Sequence, residues 1–147
     1  PGRFAWLLGL LVVASFPNEA VGVGTFFFRD FGYFTAPLAY HHRASFWAGD
    51  PFPLWNPLSN CGAPFLAQWN TLTLYPGSLI YLLLPMPWSL NAFQLAHMVL
   101  GGAGMYFLAY QWTGSRRAAA LAGVAFAFNG MLLNCLMWSI RMSQASG

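Results

Sequence analysis

Lysine is missing from this chain altogether, and acidic residues number only three, Glu19, Asp30 and Asp50. With six arginines the charged fraction reaches 6%, whereas a soluble domain carries about a quarter of its residues as charges to cover its wet surface. Disorder, a coiled coil and an ordinary cytosolic enzyme all need more charge than this. The arginines fall singly or in one pair, at Arg3, Arg29, Arg43, Arg116, Arg117 and Arg141, so no basic face exists for a nucleic acid despite the net charge of +3. Cysteine is scarce too. Cys61 and Cys135 form neither a CxxC pair nor a metal-ligand spacing, which leaves no metal site or redox motif and leaves open whether the two thiols pair. Internal repeats, low-complexity tracts and Gly/Ser linkers are absent as well.

What fills the chain is 58% hydrophobic and 18% aromatic residues, a composition for which the bilayer is the natural solvent. Crossing the hydrocarbon takes about 20 helical residues. The run Phe4 to Phe16 after Arg3 reads as a first span; a signal peptide has similar form, but no small-x-small cleavage site precedes Pro17. The clearest span is Trp88 to Trp112, with Ser89 expected as its N-cap and Gly114 as its stop. A third is expected over 118–137. Thr113 to Arg117 between them holds the only paired charges, which the positive-inside rule assigns to the cytoplasm. The stretch 17–87 then lies outside as one large loop. Within it Phe31 to Trp47 reads as an interfacial helix opened near Pro37, Pro51 to Pro64 as an irregular strap, and 76–84 as a helix too short to cross, opened by Pro76. The expected fold is all-α and polytopic, with about three transmembrane helices, a large first extracytoplasmic loop and a multi-pass setting in a bacterial cytoplasmic membrane. A start at Pro1 and a polar end at Gly147 read as the front piece of a longer protein.

Chemistry is expected in the loop. Asp30 follows Thr25-Phe-Phe-Phe-Arg29, which sets a carboxylate beside a cation near the hydrocarbon boundary, where an ionisable group is costly and points to function; a helix-end anchor is the plain alternative. His41-His42-Arg43 offers charge and hydrogen bonds to an anionic headgroup or diphosphate, or else a solvated helix end. Trp55, Asn56, Gln68 and Asn70 supply stacking faces and amides of the kind a sugar ring or polar headgroup takes, or that hold a strap in place. Asp50, in Ala-Gly-Asp-Pro, reads as a turn former. In the second span Gln94, His97, Gly101 and Gly104 share a face that must meet protein, and Ala119 with Gly123 offers a small-xxx-small contact in the third. Asn129 and Asn134 add polar groups in its outer half.

The series Phe-Phe-Arg29-Asp30-Phe, Gly49-Asp-Pro-Phe-Pro-Leu-Trp55-Asn56-Pro57, Cys-Gly62-Ala-Pro64 and Leu-Tyr75-Pro76, continued by His97 to Tyr106 and Ala-Phe-Asn129-Gly130, resembles the amino-terminal part of bacterial YfhO-like membrane proteins over nearly the whole chain. Those are similar to glycosyltransferases of the GT-C fold. The resemblance implies a transferase that moves a sugar from a polyprenyl-phosphate carrier to a cell-envelope acceptor outside the cytoplasm. It implies Asp30 as general base and no organic cofactor, with a divalent metal left open. Arg29 or His42 would hold the donor phosphate, and Trp55, Asn56, Gln68 and His97 would take part in substrate binding. The fragment lacks the later spans and outer domain of that family and is expected to be inactive alone. A transporter or flippase-like protein, and a non-catalytic assembly subunit, are the alternatives that composition also allows.

Overall fold

The computed structural model describes residues 2–26, 31–59 and 61–130. Arg29, Asp30, Asn134 and Cys135 lie outside the described residues. The chain is mostly helical, in keeping with the all-α expectation, and its spine is α5, Trp88–Thr113. No proline and no charge falls between those ends, so nothing interrupts 26 residues of helix, about 39 Å at the α-helical rise. That exceeds the roughly 30 Å of hydrocarbon, and among the described residues α5 is the one helix long and apolar enough to cross a membrane. Gly114 ends it as expected, at φ 65° with its N–H donated to the Tyr110 carbonyl at 2.9 Å. Its start is capped differently from the expectation. Pro87 is the N-cap, while Ser89 is fully buried inside the first turn with its hydroxyl on the Met86 sulfur at 3.1 Å.

Two more apolar helices pack along α5. α1 is Gly2–Ser15 and α6 is Arg116–Ala127, about 21 and 18 Å long. Neither reaches across the hydrocarbon by itself. α6 starts two residues before the expected Ala118, capped by Ser115, whose hydroxyl accepts the Ala118 N–H at 3.4 Å. It stops at a turn over Phe128 and Asn129, inside the expected third span; residues 131–137 of that span lie outside the described residues.

The three helices meet where side chains are smallest. Ala119, Gly123 and Ala127 repeat every four residues and form the buried face of α6. On α5 the partner is Gly102. A methyl on Gly102 would lie 2.9 Å from the Gly123 carbonyl, and one on Gly123 would lie 2.7 Å from the Gly102 carbonyl. The close approach therefore falls one residue after the expected Gly101 and two before the expected Gly104, the latter having open space at its missing Cβ. Around this contact Leu8, Val12, Phe26, Leu95, Met98 and Ala127 make one core, and Phe4 stacks on Tyr106 at 4.3 Å.

Residues 17–87 fold onto the first third of α5. After α2, Pro17–Ala20, a wide helical turn over Phe31–Thr35 leads into α3, Ala36–Trp47, with Pro37 in its first turn, so helical winding covers the expected 31–47 stretch and changes pitch beside Pro37. α3 ends on Gly49 at φ 92°, where the Gly49 and Asp50 N–H groups return to the Phe46 and Ser45 carbonyls. This is a Schellman closure, and Asp50 is the turn residue the sequence indicates. The strap contains one element absent from an all-α reading: β1, Trp55–Asn56, pairs antiparallel with β2, Ala63–Pro64, in register Trp55 to Pro64. A single 3₁₀ turn at Pro76–Ser78 opens α4, Leu79–Leu83. A second core of Ala36, Ala39, Tyr81, Leu82, Leu90 and Phe93 locks α3 and α4 to α5.

Candidate functional site

Four groups of contacts hold the 17–87 segment. At its beginning, Asn91 on α5 is completely buried and uses its whole amide: Oδ1 accepts the Phe26 N–H at 3.0 Å, and Nδ2 donates to the Glu19 and Gly24 carbonyls at 3.0 and 2.7 Å. Trp88 adds its indole N–H to the Ala20 carbonyl at 2.8 Å. Gly22, at φ 82°, admits the Trp88 ring where a Cβ would touch it at 3.0 Å. Asn91 thus fixes the residue that immediately precedes Phe27 to Asp30.

In the middle, His42 is 1% exposed. Its Nε2 faces the Pro51 carbonyl at 3.2 Å and its Nδ1 the Tyr81 hydroxyl at 3.4 Å. A carbonyl only accepts, so Nε2 carries the proton and Nδ1 takes the Tyr81 O–H. Burial holds His42 below its ordinary pKa, with neighbouring His41 acting the same way and the Pro51 hydrogen bond opposing. Burial also pushes Tyr81 up, which keeps its phenol a donor. This histidine joins α3, the strap and α4, and both of its nitrogens are taken by protein groups. Arg43 turns the other way and donates to the Tyr81 and Leu82 carbonyls at 2.8 and 3.0 Å and to Leu84, with Trp47 Nε1 on Leu82 at 2.9 Å. Those are the carbonyls that a helix C-terminus leaves unpaired.

In the strap, Asn56 is buried and its Oδ1 accepts the Leu58 N–H at 3.0 Å, the local bond of an Asx turn. Trp55 is 55% exposed; its indole occupies the space of the missing Gly62 Cβ, with ring atoms 2.7 to 2.9 Å from that position. Gly62 has φ 107°, so shape and backbone both require glycine there. Exposed Cys61 precedes it.

The fourth group forms a cavity. The segment 66–75 surrounds an open concavity of about 390 Å³, lined by Leu66, Gln68, Thr71, Leu72, Thr73, Leu74 and Tyr75. Its polar side is a chain of hydroxyls: Thr73 donates to Thr71 at 3.0 Å, and Thr71 donates to the Gln68 carbonyl at 2.9 Å. Tyr75 closes one end, and its hydroxyl meets His97 Nε2 at 2.5 Å. His97 Nδ1 faces the Phe93 carbonyl one turn earlier at 2.6 Å, so the proton sits on Nδ1 and Tyr75 is the donor to Nε2.

Of the residues singled out from sequence, Gln68 therefore lines this concavity, and His97 is connected to it only through its bond to the lining residue Tyr75. Trp55 and Asn56 belong to the neighbouring hairpin and His42 to the α3–α4 junction. Arg29 and Asp30 lie outside the described residues. Sequence reasoning did not single out Asn91, Thr71, Thr73 or Tyr75 as site residues, and Arg43, which it read as a candidate for an anionic group, instead donates to the end of α4. The alternation Thr71-Leu-Thr73-Leu-Tyr75 was the available signal for the two threonines and the tyrosine. No protein-family model, curated protein or solved structure matches the chain.

Proposed function

We propose that this chain is the front part of an integral membrane glycosyltransferase that moves a sugar from a polyprenyl-phosphate carrier to an extracytoplasmic acceptor. The observation that carries the reading is an aromatic-rich 17–87 segment whose described residues are clamped onto the first third of a helix long enough to span a membrane. A mere connection between spans needs neither such length nor a buried amide committed to holding it. Outward-facing apolar side chains fit a lipid surround: Trp6, Leu7 and Leu10 on α1, Leu100 and Trp112 on α5, and Leu121 on α6 are all more than 60% exposed.

In this reading Asp30 is the general base. It follows four residues after Phe26, the position that Asn91 holds. The carboxylate takes the proton of an acceptor hydroxyl as that oxygen bonds to the anomeric carbon, and the carbon–oxygen bond to the carrier breaks with its electron pair leaving on the phosphate. Base assistance of this kind is worth about 10²- to 10⁴-fold in rate. Arg29, its neighbour in the chain, supplies the positive charge for the departing phosphate. His42, with both nitrogens engaged by protein, supports the fold beneath.

The test is sugar transfer from labelled polyprenyl-phosphate donors in membranes containing the full-length protein. Asp30→Asn is expected to lower turnover at least a hundredfold while donor lipid still binds. Transfer at the native rate in that variant refutes the assignment, and transport of an unmodified lipid across the membrane instead of transfer refutes the reaction.

A further inference from the structure

We infer that the concavity lined by residues 66–75 is a binding site for a single neutral sugar ring, with Gln68, Thr73 and Tyr75 as its polar contacts. None of the residues around this 390 Å³ space carries a formal charge, and its volume falls in the range of roughly 300–1,000 Å³ usual for small-molecule sites. A phosphate or carboxylate placed there would lose its hydration with no cation to replace it.

Hydrogen bonding then decides among neutral ligands. The Thr71 hydroxyl is consumed, since it donates to the Gln68 carbonyl and accepts from Thr73. Thr73 and Tyr75 have each spent their single proton, on Thr71 and on His97, so each offers only lone pairs to a guest. The direction of the Tyr75 bond follows from the Phe93 carbonyl, which claims the His97 Nδ1 proton. Among the described residues the Gln68 amide has no hydrogen-bond partner, which leaves one more acceptor and two donors at the rim. The wall is therefore richer in acceptors than in donors. A ligand that satisfies it must present several O–H groups in a small compass, with C–H faces for Leu66 and Leu74, and a pyranose ring has both. An acyl chain would bury these lone pairs unpaired.

His97 does not touch the guest in this arrangement. It is a positioning residue that turns the Tyr75 oxygen into an acceptor. The inference rests on the transferase reading only for where the sugar comes from, and the two fail separately.

The experiment uses the full-length protein in lipid nanodiscs, free of glycosidic detergent, and saturation-transfer NMR with methyl glycosides of gluco, galacto, manno and N-acetylglucosamine configuration. Decanoate and inorganic phosphate serve as competitors. At least one glycoside is expected to bind, with a dissociation constant raised about fivefold or more by Gln68→Leu and by the near-isosteric Thr73→Val, the scale of one lost hydrogen bond. Tyr75→Phe should weaken binding similarly, and His97→Phe should do so while leaving ring-proton transfer at Leu66 and Leu74 in place. Far-ultraviolet circular dichroism establishes that each variant is folded. Absence of binding by every glycoside, equal affinity in the Gln68 and Thr73 variants, or displacement by decanoate overturns the inference. Glycoside binding that survives Asp30→Asn while transfer is lost supports both readings; binding without any transfer in the native protein sinks the transferase and leaves the sugar site standing.

Discussion

Replacing Asn91 with leucine removes the amide that ties residues 19–26 to α5 while keeping the branched heavy-atom shape of the side chain, so no cavity confuses the result. Three hydrogen bonds are lost, but they do not weigh equally. The Glu19 carbonyl also accepts the Gly22 N–H at 3.3 Å and keeps a partner. The Gly24 carbonyl and the Phe26 N–H lose the partner that Asn91 gives them. Each orphaned buried group costs about 1–3 kcal/mol. Phe26 is buried to 4% exposure, whereas Gly24 is half-buried and regains some water, which places the loss at about 2–4 kcal/mol. Asn91→Asp should be worse, because it points a carboxylate at two carbonyl oxygens in a closed site. Denaturant titration in lipid or detergent measures the change, and tryptophan emission is a suitable readout since Trp88 is bonded to Ala20 in the same clamp. A loss below about 1 kcal/mol for Asn91→Leu, or an aspartate variant as stable as the parent, would refute the idea that this amide is a saturated anchor.

Three further outcomes are expected. Gly123→Ala forces a methyl against the Gly102 carbonyl and the Phe4 ring, and overpacking of this kind should destabilise the α1–α5–α6 contact by about 1–3 kcal/mol in the same titration; Gly104→Ala, with open space around it, should be close to neutral. His42 has its pKa depressed below the ordinary 6.5 by burial, so the unfolded chain takes up a proton before the folded one does. Stability is therefore fully present above about pH 7 and falls on acidification through 6.5 until the folded-state value is passed, with a limiting slope of about 1.4 kcal/mol per pH unit; His42→Gln should flatten that segment of the pH profile. Gly77→Ala puts a methyl into the Tyr75 ring, which should break the Tyr75–His97 bond and shift the His97 ring resonances without unfolding the chain.

The elements that were legible in the sequence are those decided by neighbours a few residues apart. Uninterrupted apolar sequence gave α5, Gly114 its end, Pro37 and Pro76 two helix openings, and the four-residue repeat of Ala119 and Gly123 the buried face of α6. Where the answer depended on distant partners, the local pattern did not contain it. Residues 101–104 read Gly-Gly-Ala-Gly, so any side of that turn could serve as the small face, and only the placement of α6 selects Gly102. Asn91 acts on residues 65 to 72 positions earlier. His42 and Arg43 are adjacent and chemically similar, yet one is closed in by Pro51 and Tyr81 while the other reaches α4. Gln68 lines the concavity while His97 is tied to it only through Tyr75, a link between α5 and a residue 22 positions earlier that no local pattern contains.

The dependence of α4 on α3 has a consequence for the order of events during synthesis. Five residues are too few for a helix to persist unaided, and the donors that satisfy its final carbonyls come from Arg43 and Trp47, which leave the ribosome well before it does. At 12 residues α3 is itself marginal alone, so the earlier helix is completed only when the later one settles against it in their shared core. Any variant that unravels α3 should erase α4 as well, although its own letters are untouched.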